Sequence, residues 1–429
     1  MIRRTAVVLA LLASSLPLAA DDWPQWGGPR GDLVWREGGI VKTLPAGGLL
    51  PRVWSTPIGE GYSGPAVADG KVYISDLVER QGRKGTERVH CLDADTGKIL
   101  WTHATPVEYG IGYPAGPRAT PVVDGNRVYT IGAVGDLFCF ETATGKVVWQ
   151  KSFQADYGTA MPTWGMAASP LVDGGQLITL VGGKGALLVS FDKTTGKELW
   201  RALDDKGIGY CPPVIFTFGE SRQLIQWHPK AVSSLDPRDG RLLWEIPFEI
   251  RMGLCISTPR QAGNRLFLTA FYNGPMMLDV SPDGKGATIT WKGKSDSEVN
   301  TDGLHAIMCT PWVGETHLYG VCSYGQLRCV DARTGERVWE TRQATGEGRW
   351  WNAFIVPHED RYFLHNEQGD LIIAKLSPKG YEELSRAKLV EPTRQVMKRM
   401  TIWSHPAFAM KSVFARNDKE IVRVDLSEK

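Results

Sequence analysis

The sequence predicts an all-β fold, an eight-bladed β-propeller built from four-stranded antiparallel blades. Two observations predict it. One turn-and-tryptophan phrase recurs along the chain, and its tryptophans are almost evenly spaced. Self-similarity at a fixed period of about 20–50 residues is typical of solenoids and propellers.

Each copy of the phrase is two short strands around a tight turn. The turn ends in glycine, which adopts positive φ without strain, and a tryptophan follows four residues later. The copies lie at residues 90–101, 139–149, 190–200, 234–244 and 329–339. A looser copy has Gly284 and Trp291.

The spacing of the tryptophans predicts a closed ring. Steps of 44 to 51 residues separate Trp54, Trp101, Trp149, Trp200, Trp244, Trp291 and Trp339. The next step falls near Arg386, and the one after it falls beyond Lys429. The last repeat therefore lacks a tryptophan strand, while Trp54 supplies a spare strand near the start. We expect these two segments to complete one blade together.

A second phrase opens each repeat. Residues 63–73, 119–129 and 168–178 read as two strands around an Asp-Gly turn, which is a strong hairpin signal. Together the two phrases give four strands per blade. The predicted blades are 59–101, 115–149, 165–200, 209–244, 255–291, 306–339, 351–386, and 403–426 completed by 50–58. Blade 7 has the weakest outer pair in the sequence, and residues 388–399 suggest a short helix.

Three segments are expected along the chain: a signal peptide at 1–20, an N-terminal loop across the ring at 21–49, and the propeller at 50–429. Arg3-Arg4, an apolar run and a small-residue cleavage site are typical of export to the periplasm or the outside. No later stretch is apolar enough to span a membrane.

Bulk properties exclude some function classes. The formal net charge is +2, which gives no signal for binding nucleic acid. The seven cysteines show no metal-site spacing, and several occupy equivalent repeat positions, so we expect free, buried thiols. We also expect a monomer.

These phrases resemble the PQQ-like β-propeller repeat family over nearly the whole chain after residue 20. The resemblance implies that the seven spaced tryptophans dock neighbouring blades. Residues 23–30 are similar to the N-terminal signature of secreted bacterial members of unassigned activity. Two better-understood relatives are the quinoprotein alcohol dehydrogenases and the outer-membrane assembly lipoprotein BamB, which binds protein. Fold alone does not decide between them.

The dehydrogenase alternative requires PQQ, Ca²⁺ ligands, a catalytic Asp and an adjacent Cys-Cys pair. This sequence has no Cys-Cys pair and lacks the long insertions of those enzymes. We therefore expect no cofactor and no catalytic residues, with PQQ and Ca²⁺ as the alternative. A metal shared by His305 and His405 is not expected.

A positive signal for binding lies where the chain leads into the first strand of each blade. In a propeller these segments surround one mouth of the channel. The candidate ligand-binding residues there are Tyr62, Tyr113, Arg118, Trp164, Tyr210, His305, Trp351 and Trp403; Trp350 and Arg349 lie beside them. Such a ring could stack a sugar, a quinone-like cofactor or an apolar peptide. Alternatively, the rings pack together and plug the channel.

The predicted function is an exported, non-catalytic scaffold that binds a protein partner or small ligand at this mouth. A PQQ-dependent alcohol or sugar dehydrogenase is the first alternative. A carbohydrate-binding or carbohydrate-active module is the second.

Overall fold

The computed structural model describes residues 22–205 and 207–429, so the expected signal peptide lies outside the described residues. Eight four-stranded antiparallel sheets confirm the predicted all-β propeller. Within each blade the strands are called A to D, from the channel outwards. Helical structure in the described part is confined to α1 (Phe153–Tyr157) and a 3₁₀ turn at Arg251–Gly253.

The chain enters the ring through β1 (Trp54–Pro57), and the first four blades follow in order. Blade 1 holds β2 (Ala66–Ala68), β3 (Lys71–Gln81), β4 (Lys84–Asp93) and β5 (Ile99–Glu108). Blade 2 holds β6 (Val122–Asp124), β7 (Arg127–Ile131), β8 (Asp136–Glu141) and β9 (Val147–Ser152). Blade 3 holds β10 (Leu171–Asp173), β11 (Gln176–Leu180), β12 (Leu188–Asp192) and β13 (Glu198–Ala202). Blade 4 holds β14 (Val214–Phe218), β15 (Ser221–Trp227), β16 (Ala231–Leu235) and β17 (Leu242–Pro247).

The remaining blades complete the circle. Blade 5 holds β18 (Arg260–Ala262), β19 (Arg265–Ala270), β20 (Gly274–Val280) and β21 (Ala287–Lys292). Blade 6 holds β22 (Trp312–Val313), β23 (His317–Val321), β24 (Leu327–Asp331) and β25 (Arg337–Thr341). Blade 7 holds β26 (Ala353–His358), β27 (Arg361–Asn366), β28 (Asp370–Ser377) and β29 (Gly380–Lys388). After the hairpin of β30 (Arg394–Val396) and β31 (Arg399–Thr401), blade 8 holds β32 (Ala407–Ala409), β33 (Ser412–Arg416) and β34 (Glu420–Asp425).

Strand D of blade 8 is β1, as the spare tryptophan strand predicts. It pairs antiparallel with β34, with Trp54 opposite Arg423 and Pro57 opposite Glu420. Arg52 adds an ion pair to Glu420 at 2.7 Å. The two ends of the propeller sequence therefore share one sheet, and the ring is closed.

The seven docking tryptophans lie between blades. Five of them donate their indole N–H to a carbonyl of the next blade, as Trp149 Nε1 does to Lys193 O at 3.1 Å. The ring of Trp149 lies so close to Gly196 that a Cβ there would come within 2.7 Å of it. Gly196 has a φ of +72°, so its turn conformation and its contact both require glycine.

Two expectations for the end of the chain were wrong. Residues 388–399 do not form a helix, because β29 runs to Lys388 and β30 and β31 form a hairpin. Met397 and Lys398 at its tip have φ values of 48° and 68°, which close a tight turn. The outer pair of blade 7 is not weak either. Its strands are eight and nine residues long, and four consecutive residues of β28 are buried.

The N-terminal segment begins against the free inner edges of the A strands and then runs outward to strand D of blade 7, where Leu44 N donates to Ser385 Oγ at 2.8 Å. Trp23 forms a bridge with Val67 in β2, and Trp35 N donates to Pro357 O in β26 at 3.0 Å. Trp23 and Trp35 are almost completely buried. This segment satisfies edge groups that would otherwise be unpaired, and it closes the channel at the end of the A–B turns.

All seven cysteines are buried and unpaired. In the part of the chain that the structure describes, no helix is long and apolar enough to cross a membrane.

Replacing Trp149 by Ala should lower the free energy of unfolding by about 3–5 kcal/mol, because a buried ring is lost from a blade interface. Leu199→Ala is the matched control. Its side chain is 49% exposed, so the change should stay within about 0.5 kcal/mol. Urea unfolding followed by tryptophan fluorescence measures both. Equal losses in the two variants would contradict the docking role.

Val53→Pro tests the ring closure. Val53 N donates to Arg423 O at 2.8 Å, and proline removes that donor. We expect a loss of about 1–3 kcal/mol in unfolding free energy. Val53→Ala keeps the hydrogen bond at an exposed position and should cost less than about 0.5 kcal/mol. Identical urea midpoints for the proline and alanine variants would show that this pairing contributes nothing.

Candidate functional site

The channel opens at the end where the D–A connectors lie, here called the mouth. A cavity of about 210 Å³ lies there, the mouth cavity, and all eight D–A connectors contribute to its wall. The lining residues are Trp26, Tyr62, Gly64, Tyr113, Arg118, Thr120, Trp164, Ala167, Tyr210, Leu254, Ile256, Ile307, Met308, Trp350, Phe354, Trp403 and His405. The wall is therefore mainly aromatic and aliphatic.

The rings contact one another and still enclose space. Tyr113 meets Trp350 and Trp403 edge-on, with centroid distances of 6.0 and 5.9 Å. Trp164 and Tyr210 form a second pair at 5.7 Å. Edge-to-face contacts of this kind stabilise aromatic clusters. The mouth thus combines the ring packing of the plugging alternative with an accessible cavity.

The floor of the cavity comes from the N-terminal segment. Trp26 lies edge-on to His405 with a centroid distance of 4.6 Å, and its indole N–H donates to Thr258 Oγ1 at 3.1 Å. Trp26 therefore joins blades 5 and 8 across the channel axis. The depth of the cavity is set by this segment.

The structure brings six of the eight candidate binding residues together in the wall: Tyr62, Tyr113, Arg118, Trp164, Tyr210 and Trp403. Their role in binding stays a prediction. His305 and Trp351 lie outside the wall. His305 is buried and bonds to Asp302 Oδ1 at 3.0 Å and Phe271 O at 3.2 Å. Trp351 packs against Gly325 and Gly346, so its neighbour Trp350 takes the place in the wall.

Several wall residues were not among the predicted candidates. Leu254, Ile256, Ile307 and Met308 belong to the connectors before β18 and β22, the same positions as the predicted aromatics. Position just before strand A identifies the wall residues, whereas a search for aromatic residues alone misses the aliphatic ones. Trp26 belongs to no repeat, so no periodic signal could have placed it.

Two arginines flank Tyr62. The guanidinium carbon of Arg394 lies 4.2 Å from the Tyr62 ring centroid, and that of Arg118 lies 5.2 Å from it. Burial is the main cause that raises the pKa of Tyr62. At neutral pH this phenol is uncharged, and its ring presents a face to both cations.

Glu367 holds Trp403 in position. Its Oε2 accepts the indole N–H of Trp403 at 3.0 Å, and Arg399 forms an ion pair with the same carboxylate. Burial raises the pKa of Glu367, although Arg399 and Trp403 both favour its charged form. This group lies behind the ring of Trp403 rather than in the wall.

The wall does not fit a PQQ–Ca²⁺ centre. Calcium requires several oxygen ligands, usually carboxylates, and no Asp, Glu, Asn or Gln lines the mouth cavity. His405 offers nitrogen, which calcium does not favour. Within the described residues, no group of three or more His, Cys, Asp or Glu side chains could hold a metal ion.

His228 is the centre of a buried hydrogen-bonded cluster in blade 4. His228 Nδ1 contacts Asp205 at 2.9 Å, and its Nε2 contacts Ser233 Oγ at 3.0 Å. Ser233 donates to Glu245 at 2.6 Å and is completely buried within β16. A nucleophile needs access to a substrate carbon. This cluster therefore ties strands together and is not an acyl-transfer site.

Comparison with known families gives one match. The model described as "Outer membrane protein assembly factor BamB" matches residues 29–111 and 85–341, which is more than half of the chain. None of the curated proteins compared with the chain matches its sequence.

Solved structures share the fold at low identity. BamB from Moraxella catarrhalis superposes with a TM-score of 0.58 at 14% identity, covering 88% of this chain and 98% of that one. The quinohemoprotein alcohol dehydrogenase ADHIIG from Pseudomonas putida HK5 gives 0.56 at 13% identity, covering 95% and 80%. The computationally designed Ika8 protein gives 0.55 at 11% identity, covering 88% and 98%. These similarities show the fold alone.

Buried His405, which contacts the cavity floor, makes the unfolding free energy of the protein depend on pH. Burial lowers its pKa to about 3, and that of buried His365 to about 4. In the unfolded chain a histidine titrates near 6.5. Between pH 6.5 and these lowered pKa values, the unfolded state binds protons that the folded state does not. The contribution of the neutral imidazoles to the unfolding free energy is therefore complete above about pH 6.5 and is lost as the pH falls.

Replacing His405 by Phe removes this titration. From pH 7.5 to pH 5, we expect the unfolding free energy of His405→Phe to gain about 2 kcal/mol relative to wild type. Urea unfolding at both pH values measures this difference. Phe354→Leu is the control, since it changes the same packing without a titrating group. A parallel pH dependence of His405→Phe and wild type would refute the buried neutral imidazole.

Proposed function

Since the chain belongs to the family of PQQ-like β-propellers whose model is described as outer membrane protein assembly factor BamB, we propose that it is an exported, non-catalytic binding scaffold. Its binding site is the mouth cavity, and its ligand inserts an apolar body there. The observation that carries this proposal is the composition of the cavity wall. Eight connectors supply aromatic and aliphatic side chains, and no carboxylate lines the wall.

The size of the cavity supports a compact apolar group. A dry engineered cavity of about 150 Å³ holds one benzene molecule. The mouth cavity, at about 210 Å³, holds one ring with a few further atoms. Burying such a group is worth about 25 cal/mol for each Å² of apolar surface removed from water. Burial of an apolar group can therefore supply binding affinity without a catalytic step.

Dehydrogenase activity finds less support in the residues. The likeness to quinohemoprotein alcohol dehydrogenase ADHIIG concerns the fold, and fold does not transfer function. The wall offers neither a carboxylate base for an alcohol nor a carboxylate ligand for a cation.

A carbohydrate module is also less well supported. Sugars present hydroxyls on every side, so their sites combine aromatic faces with many hydrogen-bonding groups. In this wall, two of the four indole N–H groups are already committed, Trp26 to Thr258 and Trp403 to Glu367. The remaining polar groups are few.

Export is part of the proposal. Arg3-Arg4 and the apolar run that follows have the order of a secretory signal. The family description as an outer membrane assembly factor is consistent with a destination in the cell envelope.

The binding proposal is tested with N-phenyl-1-naphthylamine, an uncharged probe that fluoresces when buried. Wild type should bind it, and Trp350→Ala should weaken binding about 3- to 10-fold through the loss of ring contacts. Trp312→Ala is the matched control: this tryptophan is also half-buried but lies outside the cavity wall. No binding by wild type, or equal weakening in both variants, would refute the proposal.

The same preparation separates scaffold from enzyme. Incubation with PQQ and Ca²⁺, followed by a dye-reduction assay with alcohols and sugars, should give no turnover. Robust dye reduction would replace the scaffold by a dehydrogenase. Retention on a glycan array with loss in Trp350→Ala would favour the carbohydrate module.

A further inference from the structure

The mouth cavity contains one cation without an acidic partner. Arg118 lines the wall, and its guanidinium donates only to backbone carbonyls, those of Gly112 at 2.9 Å, Tyr113 at 2.7 Å and Gly116. No carboxylate forms an ion pair with it in the part of the chain that the structure describes. A guanidinium stays protonated at neutral pH even when burial lowers its pKa.

Three other arginines around the mouth pair with carboxylates, whereas buried Arg416 donates only to backbone carbonyls, as Arg118 does, but does not line the mouth cavity. Arg349 pairs with Glu298 at 2.7 Å, Arg394 with Asp418, and Arg399 with Glu367. Each of these carboxylates neutralises the charge of its arginine. Arg118 therefore stands out as a positive charge placed in an apolar wall without an anion.

Glu87 is a carboxylate whose charge acts on Arg118, and it is already engaged by other groups. Glu87 is buried, accepts a hydrogen bond from the phenol O–H of Tyr109, and accepts another from the backbone N–H of Ala133 at 2.9 Å. Burial raises the pKa of Glu87, which favours its neutral form. It forms no ion pair with Arg118.

An unpaired buried charge is costly, and a bound counter-ion removes part of that cost. Another polar group in the wall also lacks a partner. The indole N–H of Trp350 is buried and donates to nothing. Arginine and indole are both donors, and a carboxylate oxygen is an acceptor for both.

We propose that the mouth cavity binds an organic monocarboxylate with a compact apolar body, and that Arg118 is the counter-charge for its carboxylate. This inference rests on the proposed function and names the ligand class of that site. A single unpaired cation favours one negative charge, and the cavity volume favours a body of about one ring. Polycarboxylates leave surplus negative charge in an apolar wall that is lined by no second arginine and by no lysine.

The test compares two probes of the same shape, 3-phenylpropionate and its uncharged amide. Isothermal titration calorimetry on the chain without residues 1–20 should show the acid binding at least about 10-fold more tightly, since hydrogen bonds to charged groups are worth about 1.5 kcal/mol or more. The wild-type comparison requires no variant to fold. Equal affinities would overturn this inference and leave the proposed function intact, whereas no binding of either probe would overturn both.

Variants locate the charge. In Arg118→Gln the preference for the acid should fall to about 2-fold or less, while the affinity for the amide stays within about 3-fold of wild type. Arg118→Lys keeps a positive charge and should retain part of the preference. If Arg118→Gln weakens acid and amide equally, Arg118 only holds the connector at 112–116. Tighter binding of PQQ with Ca²⁺ than of the monocarboxylate would overturn the ligand class.

Discussion

Antiparallel pairing between β1 and β34 is the constraint on which the rest of the structure depends. It brings the segment after Arg52 into the same sheet as the end of the chain. Because the ring closes there, the eight connectors converge on one axis. Docking tryptophans then hold neighbouring blades together, and five of the seven fill the space above a turn glycine of the next blade. Convergence of the connectors, and hence the mouth cavity, follows from closure and not from any attraction between the connectors themselves.

Much of this architecture could be predicted from the sequence because it is periodic. Tryptophan spacing gave the number of blades, and the spare Trp54 strand gave the closure. Prediction failed where the period is broken. Residues 388–399 resemble a helix in composition, yet they form a hairpin, because a two-residue turn at Met397 and Lys398 satisfies the backbone. The outer pair of blade 7 lacks its tryptophan but keeps buried apolar residues in β28, so strand pairing persists without the marker.

The candidate site was predictable in position and only partly in identity. Residues just before strand A do face the mouth, and this rule placed Tyr62 and Trp164 in the wall. It could not choose between the adjacent Trp350 and Trp351, since a difference of one residue in a connector turns a side chain from the cavity to the core. It could not exclude His305 either, whose partners Asp302 and Phe271 become neighbours only in the folded chain.

Different residues therefore determine the repeat architecture and the chemistry of the site. The repeat determines where the connectors lie, and a match to a repeat family transfers that geometry from one protein to another. Chemistry at the mouth depends on residues outside the repeated phrases, such as Arg118, and on Trp26, which comes from the segment that precedes the ring. Since Trp26 forms the floor, this segment bounds the depth of the cavity, and in our proposal Arg118 selects the charge of the ligand. Two propellers with the same blades can thus bind unrelated ligands, because neither of these determinants is encoded by the blades.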